Sequence, residues 1–261
     1  MKNKYPKPSR VLLDAAYKNG KTYIKDVYFS PPFKIMQPFY KHDDYMTIIC
    51  MSSSSGIMAG DHQEYELIAR KGSKLEFTSN EYEKINKMEG GSATRTSTIM
   101  VEDDATMYYN PQPTIPFADS ALESLVNVHL ANESSRFIMK EVLSSGRSAR
   151  GENFQYRFYH NLINVYEGNT LIYRDNSRFD PSMTDLSGMG MYEGYQRFGT
   201  LLLFHCNKDS EWIQKARTML DEAPDIDGGV TALPGDGVVI RALGKQSDPL
   251  DQLFDKILAL S

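Results

Sequence analysis

The sequence predicts a mainly β protein closed by a small α/β element, and three observations carry that prediction. Between residues 11 and 206 the dominant pattern has period two, in short runs separated by Gly, Asn, Asp and Pro, which is the grammar of strand after strand. Helical spacing occurs in only two stretches, both after residue 206. With 261 residues, 41% of them hydrophobic, the chain can bury a real core as one large all-β domain or two small ones.

The elements follow in order. KTYIKDVYF (21 to 29), YMTIICMS (45 to 52), HQEYELIAR (62 to 70), SKLEFTS (73 to 79) and ATRTSTIMVE (93 to 102) each read as a strand. So do ATMYYNP (105 to 111), SLVNVHLA (124 to 131) and RFIMKEVLS (136 to 144). FQYRFYHNLINVYEGNTLIYRD (154 to 175) reads as a hairpin turning at Glu167-Gly168-Asn169. No fixed-period repeat stands out, so neither a propeller nor a regular solenoid is supported.

After residue 206, DSEWIQKARTMLDE (209 to 222) sets Trp212, Ile213, Ala216, Met219 and Leu220 on one helical face, with Asp209 or Ser210 as cap. GGVTAL (228 to 233) and GVVIRAL (237 to 243) are strands joined through Pro234-Gly235-Asp236. In SDPLDQLFDKILALS, Asp248 caps, Pro249 takes the first helical position, and Leu250, Leu253, Phe254, Ile257 and Leu258 form the buried stripe. The order from residue 199 is thus β-α-β-β-α, giving about two helices. A β-rich body spans 1–206 and an α/β element 207–261, with no Pro, Gly or Ser-rich linker between them.

Composition excludes several classes of function. A net charge of −5 leaves no broad cationic surface for nucleic acid or anionic lipid. Cys50 and Cys206 are far apart, so no disulfide framework or Cys-x-x-Cys metal site is available, and reduced thiols in the cytoplasm fit best. The polar, basic stretch MKNKYPKPSR predicts no signal peptide, and LLLF (201 to 204) is far too short to span a bilayer.

The first stretch that looks like chemistry is SSSSGIMAGD (52 to 61). It holds Gly56 and Gly60 but no Lys, and Asp61 would repel a phosphate. Its serines precede the glycines, so it is no nucleophile elbow, and a tight turn between strands is an equal reading. His42, His62, His129, His160 and His205 show no i, i+2 or i, i+4 pairing, which argues against a tight metal site. In EVLSSGRSARGENF (141 to 154), Arg147 and Arg150 lie between Glu141 and Glu152 in a turn bounded by Gly146 and Gly151. Ion pairs pinning that turn compete there with a partner-facing or channel-lining role. GMGMYEG (188 to 194) reads as core or loop filler, with a protein-binding surface as the other option.

Five segments, PFYKHDD, SGIMAGD, TSNEYEKI, MYYNPQPTIPF and EVLSSGRSARGENF, occur in this order at suitable distances, and together they resemble the urease accessory protein UreD family, called UreH in some members. The resemblance implies a single UreD-like domain over 1–261, helically wound and mostly β, that catalyses nothing itself. It implies a UreF-type helical accessory protein as partner, a UreG-type GTPase reached through it, and urease apoprotein. Nickel would then be cargo in transit through an interior passage, with no cofactor held permanently. By position in the family pattern, Asp61, Glu141 and Asp175 are expected to line such a path with Thr78 nearby, while Gly56, Gly60, Gly146, Arg147, Arg150 and Glu152 shape adjacent turns and interfaces. A conduit favours scattered oxygen donors over a cluster of thiolates and imidazoles, and the chain has the former. The alternative is a β-sandwich glycan-binding module or hydrolase using Asp61 and Glu152 as a carboxylate pair.

Overall fold

A computed structural model describes residues 7–42 and 45–260. Residues 43 and 44 of the PFYKHDD segment lie outside the described residues, as do the side chains of residues 41 and 42. The strands begin with β1 (Ser9–Lys18), β2 (Lys21–Phe29), β3 (Phe33–Ile35), β4 (Phe39–His42), β5 (Tyr45–Ser52), β6 (His62–Ala69), β7 (Lys74–Ser79), β8 (Glu83–Ile85) and β9 (Ala93–Val101). They continue with β10 (Thr106–Asn110), β11 (Thr114–Pro116), β12 (Ala121–Leu130), β13 (Arg136–Ser144), β14 (Phe158–Glu167), β15 (Thr170–Phe179) and β16 (Arg197–Phe204). Then come α1 (Ser210–Asp221), β17 (Ile226–Leu233), β18 (Gly237–Gly244) and α2 (Ser247–Leu258), so the β-α-β-β-α order holds.

These strands form two sheets. One has the order β15-β14-β12-β9-β6-β1-β2; the other runs β17-β18-β16-β13-β10-β7-β5-β3, with β4, β8 and β11 paired at its side. From β5 to β14 the main strands alternate between sheets, each parallel to the strand one turn earlier, so the backbone is wound helically. Tyr45 pairs with Lys74, Lys74 with Thr106 and Thr106 with Arg136, advances of 29, 32 and 30 residues. The near-regular winding coexists with a sequence that shows no repeat. Stacked strands need only the same inward parity at each level, and any apolar residue satisfies it.

The corners differ in length. Passages from the second sheet to the first span residues 53–61, 80–92, 111–120 and 145–157, whereas the returns take only 70–73, 102–105 and 131–135. Four of the five segments quoted above lie wholly or largely in the long corners, which stack on one another. Ile57 bridges to Ile85, and Ile85 pairs with Pro116.

Both helices cover the outer face of the second sheet at its β13-β16-β18 end, where Trp212, Leu220, Leu250, Phe254 and Ile257 bury against Leu201, Leu203 and Ile240. Asp209 caps α1 by accepting from the Trp212 N–H at 2.8 Å, as the spacing predicts. The expected cap of α2 is wrong by two residues. The helix starts at Ser247 after Gln246, so Pro249 is its third residue, and Asp248 accepts instead from the Tyr82 hydroxyl. Tertiary bonds replace the local cap: Arg197 Nε donates to Ser247 Oγ at 2.8 Å, and the buried Lys140 reaches Asp251 at 2.9 Å and Asp255 at 2.7 Å. Among the described residues no helix is long and apolar enough to cross a membrane.

Candidate functional site: a polar seam between the sheets

Inward-facing residues of a packed β structure should be apolar throughout, and here they are not. Along β9 the inward positions run Ala93, Arg95, Ser97, Ile99; along β12, Leu122, Ser124, Val126; along β14, Tyr159, Asn161, Ile163. On the facing sheet β13 runs Met139, Glu141, Leu143 and β16 runs Phe198, Thr200, Leu202. The polar positions are in register. Gln63 pairs with Arg95, Arg95 with Ser124, Ser124 with Asn161 and Asn161 with Ser177. Glu141 pairs with Thr200 and Thr200 with Arg241. A polar seam therefore crosses the interior. It separates an apolar cluster containing Leu67, Ile99, Val128 and Met139 from another containing Ile85, Leu122, Leu143 and Tyr192.

Glu141 sits in a cavity of about 10 Å³, room for a single water-sized occupant, bounded by Tyr159, Asn161, Asp175, Ser177 and Thr200. Its carboxylate accepts from Tyr159 Oη at 2.7 Å and from Asn161 Nδ2 at 2.8 Å. Burial pushes its pKa up to about 7; the Tyr159 bond opposes this and the charge of Asp175 adds to it. Asn161 is 4% exposed, and its side-chain Oδ1 is buried without a hydrogen-bond partner. An acceptor left open beside a carboxylate, a second carboxylate and a hydroxyl makes an oxygen-only donor set of the kind that suits a hard cation.

At the other end the seam meets a cleft of about 80 Å³ lined by Cys50, Asp61, Gln63, Glu83, Arg95 and Tyr109. Arg95 is held on two sides: Nε donates to Gln63 Oε1 at 3.0 Å, and Nη1 donates to Glu83 Oε2 at 2.6 Å. The pair acts electrostatically on Glu141, linking cleft to cavity. Asp61 accepts from the Met58 N–H at 2.8 Å, and burial raises its pKa against that bond. Burial also pushes the Cys50 thiol up to about 12, so it stays protonated and is a poor ligand.

The structure brings Glu141 and Asp175 into one cavity and sets Asp61 at the cleft. Thr78 it does not bring to the seam. Its neighbour Phe77 points into the core, so strand alternation turns Thr78 to the sheet's outer face. Glu152 is committed to Arg147, whose Nε donates to it at 2.7 Å and whose guanidinium stacks 4.2 Å from the Phe117 ring. That hydrogen bond lowers the Glu152 pKa, with the exposed Arg150 contributing charge. Asp61 and Glu152 thus serve separate turns rather than a common site.

The turn in SSSSGIMAGD has a structural counterpart farther along the chain. In Ser54-Ser55-Gly56 and again in Ser144-Ser145-Gly146, the first serine's hydroxyl donates to the glycine carbonyl at 2.6 Å. Both glycines have nearly the same φ, +140° and +143°, and each lies against backbone: a Cβ would fall 2.5 Å from the Lys84 carbonyl oxygen or 2.2 Å from that of Glu152. Gly60 (φ +77°) donates its N–H to Ser92 O at 3.0 Å, tying one corner to the next. These contacts fix the shape of the turns. In GMGMYEG, Tyr192 is a buried anchor and Met191 packs beside it, as filler should, but Met189 is 95% exposed.

Reading the sequence missed Gln63, Glu83, Arg95, Ser124, Asn161, Thr200 and Arg241. Arg95 carried a usable signal, since it shares parity with Ala93, Ile99 and Val101 in an alternating run. Among the described residues no three or more His, Cys, Asp or Glu side chains are grouped so as to hold a metal ion.

Comparison with known proteins extends these findings. A profile described as UreD urease accessory protein matches residues 7–261. The urease accessory protein UreD of Acetivibrio thermocellus is 37% identical over 258 residues, covering 98% of each chain. The urease accessory protein UreH of Helicobacter acinonychis is 36% identical over 242 residues, covering 93% of this chain and 90% of its own. UreD of Flavobacterium johnsoniae is 28% identical, covering 93% and 88%. With a match running through every strand, corner and helix described above, the chain belongs to the UreD urease accessory protein family.

Proposed function

We propose that this protein is a urease maturation factor, a non-catalytic scaffold that joins urease apoprotein to a UreF-type helical protein and, through it, to a UreG-type GTPase, and that conducts nickel toward the urease active site. The observation that supports this most is the polar seam, with Asp61 at its cleft and Glu141 and Asp175 in its cavity. A divalent ion crossing a low-dielectric interior needs oxygen donors to replace its water shell, spaced so that none grips it for long. Carboxylate, amide oxygen and hydroxyl groups on facing strands meet that need, and the open Asn161 Oδ1 offers a donor not already engaged. Glu141, titrating near neutrality, exchanges its proton for the arriving cation. Nickel is cargo here, not a resident cofactor. The work is done in the cytoplasm, by one domain whose second sheet continues from the β-rich body into the C-terminal element.

The test is co-expression with urease subunits and the two partner types, reading urease activity and nickel content together with recovery of the complex. Glu141→Gln and Asp175→Asn should each lower nickel content while the complex still assembles. Full nickel loading in both variants would end this reading.

A further inference from the structure

An ion pair stands where the Glu141 cavity adjoins the surface, with Asp175 lining the cavity and Arg241 the groove outside it. Ser177, Phe179 and Phe198 wall both this cavity and an open groove outside it, to which Arg178, Met191 and Arg241 also contribute. Arg241 reaches in from the groove side and donates to Oδ2 of Asp175, whose Oδ1 accepts from Ser177 Oγ at 2.7 Å. Its guanidinium lies 5.9 Å from the Phe198 ring. Because Arg241 pairs with Thr200 and Thr200 with Glu141, the cation stands at the outer end of the row that carries Glu141.

This deepens the conduit reading and rests on it: we propose that Arg241 is the residue that decides when a divalent cation can occupy the Glu141–Asp175 cavity, by holding Asp175 and barring the outer end of the seam. An arginine cannot shed its charge, so the bar lifts only when the side chain moves. The two buried-pair arginines differ in that respect. The Arg95 side chain is 8% exposed and is fixed by Gln63 and Glu83, so it is a permanent part of the wall. The Arg241 side chain is 46% exposed against 9% for Asp175, so the guanidinium can withdraw into water, and the buried carboxylate it would leave unpaired calls for another cation in its place. While it is in place, a dication beside Asp175 would meet a full positive charge at contact range, a repulsion large enough to suppress occupancy by an order of magnitude or more.

The experiment is equilibrium dialysis of the purified full chain against nickel(II) alone, in mildly alkaline buffer where Glu141 is ionised. Arg241→Gln should bind nickel about tenfold more tightly than the wild type or better. Arg241→Lys, which keeps a cation beside Asp175, should stay close to the wild type. Adding Glu141→Gln to Arg241→Gln should remove the gain. A single cooperative thermal transition, at a midpoint above the assay temperature, shows that the variants are folded, and Arg241→Met serves as a second neutral variant if glutamine disturbs the strand. No gain in either neutral variant, an equal gain with lysine, or a gain that survives loss of Glu141 overturns the proposal. The conduit reading is judged apart from it, by nickel loading of urease with Glu141→Gln and Asp175→Asn in chains that keep Arg241. Loss there without any gain in Arg241→Gln removes the gate and leaves the conduit.

Discussion

Replacing Glu141 by glutamine should change how the stability of this protein depends on pH. Burial lifts the Glu141 carboxyl to about 7 in the native state from a reference of 4.5; its bond from Tyr159 and the Arg95 charge pull the other way, and Asp175 and Glu83 push up. Between those two values the native chain keeps a proton that the unfolded chain has lost. The stability from this group is therefore whole below the unfolded value and drains away as pH rises through the folded one. The fall is about 1.4 kcal/mol per pH unit, or about 3 kcal/mol in total by the time both states are ionised. Glutamine has no proton to lose, its oxygen can accept from Tyr159, and Asn161 Oδ1 can take its N–H. The variant should match the wild type at acid pH and become more stable than it by about 3 kcal/mol at mildly alkaline pH. Urea denaturation across that range, followed by the fluorescence of the sole tryptophan, Trp212, reads the difference directly. Parallel stability curves, or a variant that is weaker at alkaline pH, would refute the account of the cavity.

Other perturbations test the remaining structure. Arg95→Leu strands Glu83 and Gln63 and should cost about 3–5 kcal/mol in urea denaturation, most of it recovered when Glu83→Leu is added. Gly146→Ala sets a Cβ against the Glu152 carbonyl at a φ that L-residues avoid, and should lose at least about 2 kcal/mol, read as a lower thermal midpoint. Lys140 and its aspartates should respond unequally. Lys140→Met returns Asp251 and Asp255 to water and should change stability by no more than about 1 kcal/mol, whereas Asp251→Asn with Asp255→Asn leaves a buried ammonium unpaired and should cost about 3 kcal/mol, both by urea denaturation.

Local grammar made most of the fold legible. KTYIKDVYF, YMTIICMS and RFIMKEVLS become strands with the very limits read from alternation, and Asp209 caps α1 as its spacing says. What local grammar cannot supply is register between distant strands. The seam exists because Arg95, Ser124 and Asn161 fall level across three strands and face Glu141 and Thr200, a fact about pairing offsets that no single run contains. Each of these residues is nevertheless a polar interruption at inward parity, and such interruptions stand out in the alternation of each strand taken alone. Glu141 and Asp175 came from resemblance, and so did Thr78, whose parity with Glu76 rather than Phe77 already argued against an interior place. The Asp248 cap failed for a different reason: a tyrosine on a far corner outcompeted the helix's own N–H groups for its carboxylate.

The order in which the chain is made gives the second sheet an unusual history. Thr200 and Arg241, which finish the surroundings of Glu141 and Asp175, belong to β16 and β18, and these leave the ribosome well after β13. At about 5–20 residues per second, β13 waits roughly 3–12 s with its edge bare before β16 is complete at Phe204. During that interval the wound body is an open ledge with a carboxylate in water, free to pair with the ledge of another nascent chain. A chain ending between Phe179 and Arg197 would keep that ledge permanently, so β16 covers an edge that could otherwise pair with another copy.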